Sequence, residues 1–191
     1  MIVAPGIPDN QIETAIDLYW EAFGAKLGTV MGPEHKAKQF IRSVIDPSHA
    51  ICALDKDQRV LGVAGFKTYE GALVGGKMAD LWKVYGLGSL WRAAALTLLE
   101  RDIENKRFLM DGIFVCKSER GKGVGSALLN ALYTEAKRRG YSEIRLDVID
   151  SNPRAKSLYE REGFVATKSQ SLGPLSLIFG FKSATAMVRN L

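Results

Sequence analysis

The chain has 191 residues, of which 47% are hydrophobic and 25% charged, a balance typical of one soluble globular domain with a sizeable core. Its formal net charge of +5 comes from scattered basic residues with acidic neighbours, which favours a solvated surface over a nucleic-acid-binding patch. Cys52 and Cys116 show no disulfide or metal spacing, and no apolar run has membrane length or resembles a signal peptide. We therefore expect a cytoplasmic protein with no nucleic-acid partner, no membrane contact and no metal.

The first seventy residues predict a strand, two helices and two further strands. Runs of β-favouring residues mark the strands, and apolar residues at helical spacing mark the helices. Pro33 suits a first helical turn, and Asp46-Pro47 ends the helix that follows it. The predicted elements are a strand at 2–4, a helix from Asp9 or Asn10 to Gly24, a helix from Pro33 to residue 45, and antiparallel strands at 50–54 and 60–69.

The sequence predicts a helical insertion at 70–107, because about forty residues separate two predicted strands where a hairpin loop would be much shorter. Its apolar stripe predicts a helix that covers an apolar surface. Trp82, Tyr85 and Trp91 are candidates to line a substrate site, while packing on the domain or a homodimer interface is the alternative. The stripe consists of Leu87, Leu90, Trp91, Ala94, Leu98, Leu99 and Ile103.

Residues 109–139 predict a buried strand at 109–116, a glycine-rich turn and an amphipathic helix that ends at Arg139. Glycines allow close backbone approach to a ligand, and N–H groups at a helix start bind anions, so the turn predicts a phosphate site. A P-loop is excluded because no Gly-Lys here precedes Ser or Thr, and the spacing is not the dinucleotide-binding G-x-G-x-x-G. The turn is Arg120, Gly121, Lys122, Gly123, Val124, Gly125 and Ser126.

The remaining chain predicts a strand at 144–149, a short helix at 154–162 that Pro153 opens, and paired strands at 165–168 and 183–189. Residues 169–182 have no clear assignment. Together these elements predict an α/β fold with a sheet flanked by helices.

Two motifs carry a family resemblance. Arg120 to Gly125 match the [QR]-x-x-G-x-[GA] signature of GNAT superfamily N-acetyltransferases, and a second motif fits N-x-x-A-x-x-L-Y-x-x-x-G-F. The chain therefore resembles this superfamily, strongly over 108–168 and by element order before that. The second motif consists of Asn152, Ala155, Leu158, Tyr159, Gly163 and Phe164.

The resemblance implies a GNAT (acyl-CoA N-acyltransferase) fold, with a mixed, mostly antiparallel sheet in a single domain over 1–191. It also implies transfer of an acetyl group from acetyl-CoA to a primary amine, directly through a tetrahedral intermediate and without a metal. A non-catalytic acyl-CoA-binding sensor or interaction module is the alternative, and release of free thiol in the presence of amines separates the two.

The resemblance also assigns roles to cofactor-binding residues. The strand residues Ile113, Phe114 and Val115 would run beside the pantetheine, and the Val115 N–H would polarise the thioester carbonyl. Backbone N–H groups across 121–126 would hold the pyrophosphate, with Arg120 or Lys122 reaching phosphate oxygens. Asn152 would contact the cofactor or cap its helix, and both roles are compatible.

Tyr159 occupies the family's tyrosine position and is the predicted general acid, with a core-packing tyrosine as the structural alternative. A general base would help a lysine-like amine, which is largely protonated at neutral pH. Asp111 and Asp147 are the candidates, beside a water chain to solvent or a purely structural role for both carboxylates. Asp111 shares strand parity with Val115, so both side chains face one side unless a bulge intervenes.

Overall fold

The computed structural model describes residues 1–97 and 107–191. Within these ranges the chain forms strands and helices that alternate largely as predicted. The strands are β1 (Ile2–Pro5), β2 (Ala50–Leu54), β3 (Val60–Lys67), β4 (Arg107–Val115), β5 (Glu143–Ile149), β6 (Val165–Ser171) and β7 (Ser183–Asn190). The helices are α1 (Ile12–Met31), α2 (Glu34–Val44), α3 (Met78–Tyr85), α4 (Ser89–Thr97), α5 (Val124–Arg138), α6 (Pro153–Arg161) and α7 (Ser176–Phe179).

The described strands form one sheet in the order β1-β2-β3-β4-β5-β7-β6. Neighbouring strands are antiparallel except for β4 and β5, which are parallel. The predicted mixed, mostly antiparallel sheet flanked by helices is therefore confirmed. The parallel pairing is short, since it joins only Arg107, Phe108 and Leu109 to residues 143–145. Beyond that point the two strands no longer pair, and a cleft opens between them.

The two faces of the sheet carry different helices because side chains alternate along each strand. One face packs against α5, where Phe108 and Ile144 share a buried cluster with Leu128 of the helix. The opposite face packs against α1, where Val63 and Phe114 belong to a second cluster. We refer to these as the α5 face and the α1 face. Alternation therefore fixes which strand residues can meet in the cleft from each side.

Helix α1 continues to Met31 and does not end at Gly24 as predicted. Its last turns pack against the segment that the sequence left unassigned, where fully buried Val30 joins Phe179 and Phe181 in one cluster. That burial outweighs the cost of about 1 kcal/mol for a glycine within a helix. Residues outside the helix thus decide where α1 ends.

The insertion contains two described helices, α3 and α4, and not one helix with a single stripe. Gly86, with φ of 55°, breaks the helical path between them. The break rotates the later residues, so Leu87 and Leu90 are 80% and 60% exposed and the predicted stripe is wrong there. Leu81 and Tyr85 are buried against α1 and α2 instead. The predicted stripe residues Leu98, Leu99 and Ile103 lie outside the described residues.

Over the described ranges, none of the helices combines the length and the apolar character needed to span a bilayer.

Helix α5 is tied to the start of the insertion through Glu135, which is 8% exposed. Its carboxylate accepts hydrogen bonds from Arg138 Nε at 2.8 Å and from Arg139 Nε at 2.6 Å. Arg139 also contacts Glu70 at 3.2 Å and lies over the Phe66 ring at 5.1 Å. The hydrogen bonds from Arg138 and then Arg139 lower the pKa of Glu135 from 4.5 to about 2. The ionised carboxylate therefore stabilises the folded chain.

We expect Glu135→Gln to lower the free energy of unfolding at pH 7 by about 2 kcal/mol. Because the folded-state pKa is depressed, the contribution is present above pH 4.5 and is lost as the pH falls towards 2. The difference between wild type and variant should therefore narrow in urea titrations between pH 5 and about pH 3. Glu160→Gln is the control, since that carboxylate is exposed and lies 3.9 Å from Lys156. A difference that stays constant with pH would contradict the assignment.

Candidate active site

The cleft between the diverging strands has a volume of about 2190 Å³. Its walls come from β4 between Met110 and Val115 and from β5 between Leu146 and Ile149. The glycine turn before α5 and the first turns of α6 also line it, which brings both sequence motifs to one cavity. Among the described residues, no three His, Cys, Asp or Glu side chains cluster in a way that would hold a metal ion.

Gly121 and Gly123 give the turn a backbone that other residues rarely adopt, with φ of 79° and 84°. A Cβ added at either position would meet no atom within 4 Å, so both glycines border open space. Helix α5 begins immediately after Gly123, and the first N–H groups of a helix have no acceptor within it. The turn therefore has the local geometry that binds phosphate oxygens.

Gly125 has a different use from the other two glycines of the turn. A Cβ at this position would lie 3.1 Å from Leu158 of α6. The missing side chain thus lets α5 approach α6 and brings the two motifs together.

The two cations of the turn already have partners. Arg120 donates from Nε to the Val115 carbonyl at 3.1 Å and from Nη2 to Glu21 at 3.0 Å. Lys122 contacts Glu119 at 3.1 Å and is largely exposed. Contact of either cation with phosphate stays a prediction, because each would have to exchange its present partner. Backbone N–H groups are the donors that the fold itself presents.

Strand β4 contains a bulge at Asp111. Met110 opposes Phe66 and Gly112 opposes Gly65, so Asp111 is the extra residue of its strand. The bulge interrupts the alternation of side chains between the two faces.

The bulge separates Asp111 from Val115. Val115 packs on the α5 face, as does Met110 before the bulge. Met110 packs on the α5 face, so alternation places the next residue, Asp111, on the α1 face. After the bulge Gly112 faces α1 as well, where an added Cβ would meet Phe23 at 2.4 Å. The bulge that was the stated exception is therefore present, and Asp111 and Val115 do not share a side.

Asp147 lies on the α1 face as well, because its neighbours Leu146 and Val148 pack on the α5 face. Its side chain is 9% exposed and lies 3.7 Å from Arg145 Nη2. Both candidate bases thus line the cleft from the same face, one on each diverging strand.

Tyr159 lies on the other side of the opening, in the buried cluster on the α5 face, and also lines the cleft. Its residue is 6% exposed, and its ring packs edge-on against Phe164 at 5.8 Å. Burial, with a smaller effect of Tyr133, raises the pKa of Tyr159 to about 12. The phenol therefore keeps its proton at neutral pH, as a general acid must.

Asn152 caps α6 through its side-chain oxygen, which accepts a hydrogen bond from the Ala155 N–H at 3.2 Å. The predicted capping role is confirmed. Asn152 also lines the cleft, and its contact with the cofactor stays a prediction.

The edge of β4 that faces the opening has main-chain groups available for a ligand. The Cys116 N–H donates to Leu61 of β3 at 2.9 Å. Because successive strand residues direct their N–H groups to opposite edges, the Val115 N–H points to the cleft side. Ile113 and Val115 are partly buried there, whereas the Phe114 side chain packs on the α1 face at 5.7 Å from Tyr19.

The three aromatic residues predicted to line a substrate site do not border the cleft. Trp82 and Trp91 are 49% and 48% exposed, on the outside of the insertion. Tyr85 is buried, and its hydroxyl donates to the Met31 carbonyl. The bend at Gly86 directs other side chains inward. From α3 and α4, the cleft receives Met78, Leu81, Ala93, Leu96 and Thr97.

Sequence analysis missed three basic residues that line the cleft on the α1 face, Lys67, Arg107 and Arg145. Each occupies a strand position that alternates with buried apolar residues. That alternation was readable, but only the sheet order brings the three strands side by side.

Comparison with known proteins gives consistent relatives. The probable N-acetyltransferase family 8 member 5 of Mus musculus is 27% identical over 125 residues, which cover 59% of this chain and 55% of that protein. A probable spermine N(1)-acetyltransferase of Bacillus subtilis subsp. natto is 33% identical over 97 residues, 50% of this chain and 55% of the relative. The chain thus spans about half the length of the curated relatives it matches.

Solved structures share the fold of this chain. A GCN5-related N-acetyltransferase from Kribbella flavida superposes with a TM-score of 0.66 at 19% identity, covering 100% of this chain and 97% of that one. The model of the Acetyltransferase (GNAT) family matches residues 12–164. That match takes in the glycine turn, both diverging strands and Tyr159, and by it the chain belongs to the GNAT acetyltransferase family.

Proposed function

We propose that this protein is an N-acyltransferase that moves an acetyl group from acetyl-CoA to a primary amine. The observation that carries the proposal is that a glycine turn with left-handed backbone lies beside an opening in the sheet. A phosphate site and an unpaired strand edge lie on one cleft, which suits a long ligand with a phosphate end and an extended arm. Family membership supports acyl transfer to amines in general.

On the cofactor side, backbone N–H groups from Gly121 to the first turn of α5 would hold the pyrophosphate. The cleft-facing edge of β4 would pair with the extended pantetheine arm, as an added strand does. The Val115 N–H would donate to the thioester carbonyl and stabilise the charge that develops on its oxygen. Acetyl-CoA, when bound, supplies the activated thioester.

Tyr159 and the two aspartates would handle protons on opposite sides of the opening. The amine nitrogen bonds to the acyl carbon, and the bond from that carbon to sulfur breaks. Asp111 or Asp147 accepts the proton that the amine loses and releases it to solvent. Tyr159 gives its proton to the departing sulfur and recovers one from solvent. The products are an amide and a free thiol, so charge and atoms balance.

The glycine turn yields a binding test with a matched control. Gly123→Ala places a side chain at φ of 84° in open space beside the cleft, whereas Gly140→Ala does the same at φ of 83° after the other end of α5. Both variants carry similar backbone strain, about 1 to 2 kcal/mol. We expect only Gly123→Ala to weaken acetyl-CoA binding in calorimetric titration, by about tenfold or more, because it alters the phosphate cradle. Equal loss in both variants would attribute the effect to strain alone.

The tyrosine yields a kinetic test. Tyr159→Phe should lower kcat by about a hundredfold while acetyl-CoA affinity changes little, since it removes only the general acid. Tyr133→Phe is the matched control, because Tyr133 is also buried and packs near Phe164 at 6.2 Å but does not line the cleft. Thiol release with an amine panel is the measurement. Acetyl-CoA binding without thiol release from the wild type would instead indicate a sensor or interaction module.

A further inference from the structure

A row of charged side chains crosses the α1 face at the base of the opening. Lys67 of β3 pairs with Leu109 of β4, and Leu109 pairs with Arg145 of β5. Residues that oppose one another in neighbouring strands point to the same face, about 5 Å apart per strand. Lys67 and Arg145 therefore flank Leu109 from both sides, and both side chains line the cleft. They form the basic row.

The two aspartates form a second row, one step further into the opening. Asp111 lies two residues beyond Leu109, and Asp147 lies two residues beyond Arg145, on the same face. Two residues of a strand advance about 6.6 Å, so the backbones of the two rows are that far apart, while the charged ends of Arg145 and Asp147 approach to 3.7 Å. The acidic row is the nearer of the two to the part of the cleft where β4 and β5 have separated.

We propose that the amine acceptor also carries a carboxylate, as amino acids do. The acidic row would hold the ammonium group beside the thioester, and the basic row would bind the carboxylate. This inference rests on the proposed acyl transfer and names the acceptor class for the same cleft.

The charges on this face favour such a zwitterion over an acceptor that carries only amines. Arg107 is a third cation that lines this part of the cleft. It is paired at 2.6 Å with Glu143, which does not line the cleft. Arg145 lies 3.7 Å from Asp147, a long ion pair, and a guanidinium has five N–H donors, so it can bind a carboxylate as well. A second ammonium group, as in a polyamine, would have to lie against the basic row. Like charges at that distance repel, which lowers affinity for such an acceptor.

The test compares each amino acid with its decarboxylated counterpart, because the members of a pair differ by one carboxylate. Suitable pairs are L-arginine with agmatine, L-ornithine with putrescine, L-phenylalanine with phenethylamine, and 4-aminobutyrate with propylamine. Thiol release from acetyl-CoA is followed for all eight. We expect the highest kcat/KM for a carboxylate-bearing member, about tenfold or more above its counterpart, as one charge-assisted contact provides.

Variants of the basic row test whether Lys67 and Arg145 cause the preference for a carboxylate-bearing acceptor. Lys67→Met and Arg145→Gln should each raise KM for the preferred acid, reduce its ratio to the counterpart amine, and leave KM for acetyl-CoA near wild type. Lys56→Met, in the exposed turn between β2 and β3, is the control and should leave the ratio unchanged. Thermal unfolding checks that each variant is folded.

The outcomes separate this inference from the proposed function. A best acceptor without a carboxylate, or members of each pair within about twofold of one another, would overturn the zwitterion and leave acyl transfer standing. An unchanged ratio in both folded basic-row variants would also overturn it. No thiol release with any of the eight amines, despite measured acetyl-CoA binding, would overturn the proposed function and this inference together.

Discussion

The cleft exists because β4 and β5 stop pairing after Leu109 and Arg145. Parallel strands of a continuous sheet form hydrogen bonds along their whole length, whereas the second half of β4 forms no pairs with β5. Unpaired main-chain groups inside a protein cost free energy unless a ligand or water satisfies them. An extended ligand along β4 would restore the missing strand pairing, which is the physical reason for the cofactor position that we propose. The first turns of α5 and α6 border this opening.

One extra residue in β4 decides which groups share the cleft. Without the bulge at Asp111, its carboxylate and the Val115 side chain would lie on one face of the strand. With it, the carboxylate joins Asp147 on the α1 face while Val115 and Tyr159 remain on the α5 face. A bulge of this kind re-aims side chains at little cost to the rest of the sheet. The separation of the proposed acid and the proposed bases across the opening therefore depends on local backbone geometry and not on the choice of residues alone.

Sequence reasoning succeeded where local rules dominate. Left-handed φ values at Gly121 and Gly123 demand glycine, and α5 has an unbroken apolar face, so the turn and the helix were both predicted. It failed where distant contacts dominate. The end of α1 depends on burial of Val30 against the segment near Phe179, and the exposure of Leu87 follows from the bend at Gly86. Neither the bulge at Asp111 nor the alignment of Lys67 with Arg145 has a local signal, because both depend on strand register.

The two sides of the opening differ in polarity, and that difference suits the two proton transfers that we propose. Tyr159 belongs to the apolar cluster on the α5 face, where desolvation raises the pKa of the phenol to about 12. The α1 face is charged instead, since Asp147 lies 3.7 Å from Arg145 Nη2 there. The proposed acyl transfer needs a proton donor on one side of the thioester and a proton acceptor on the other. The sheet thus separates an apolar wall that holds the phenol from a charged wall that holds the carboxylates, and the two walls meet where β4 and β5 stop pairing.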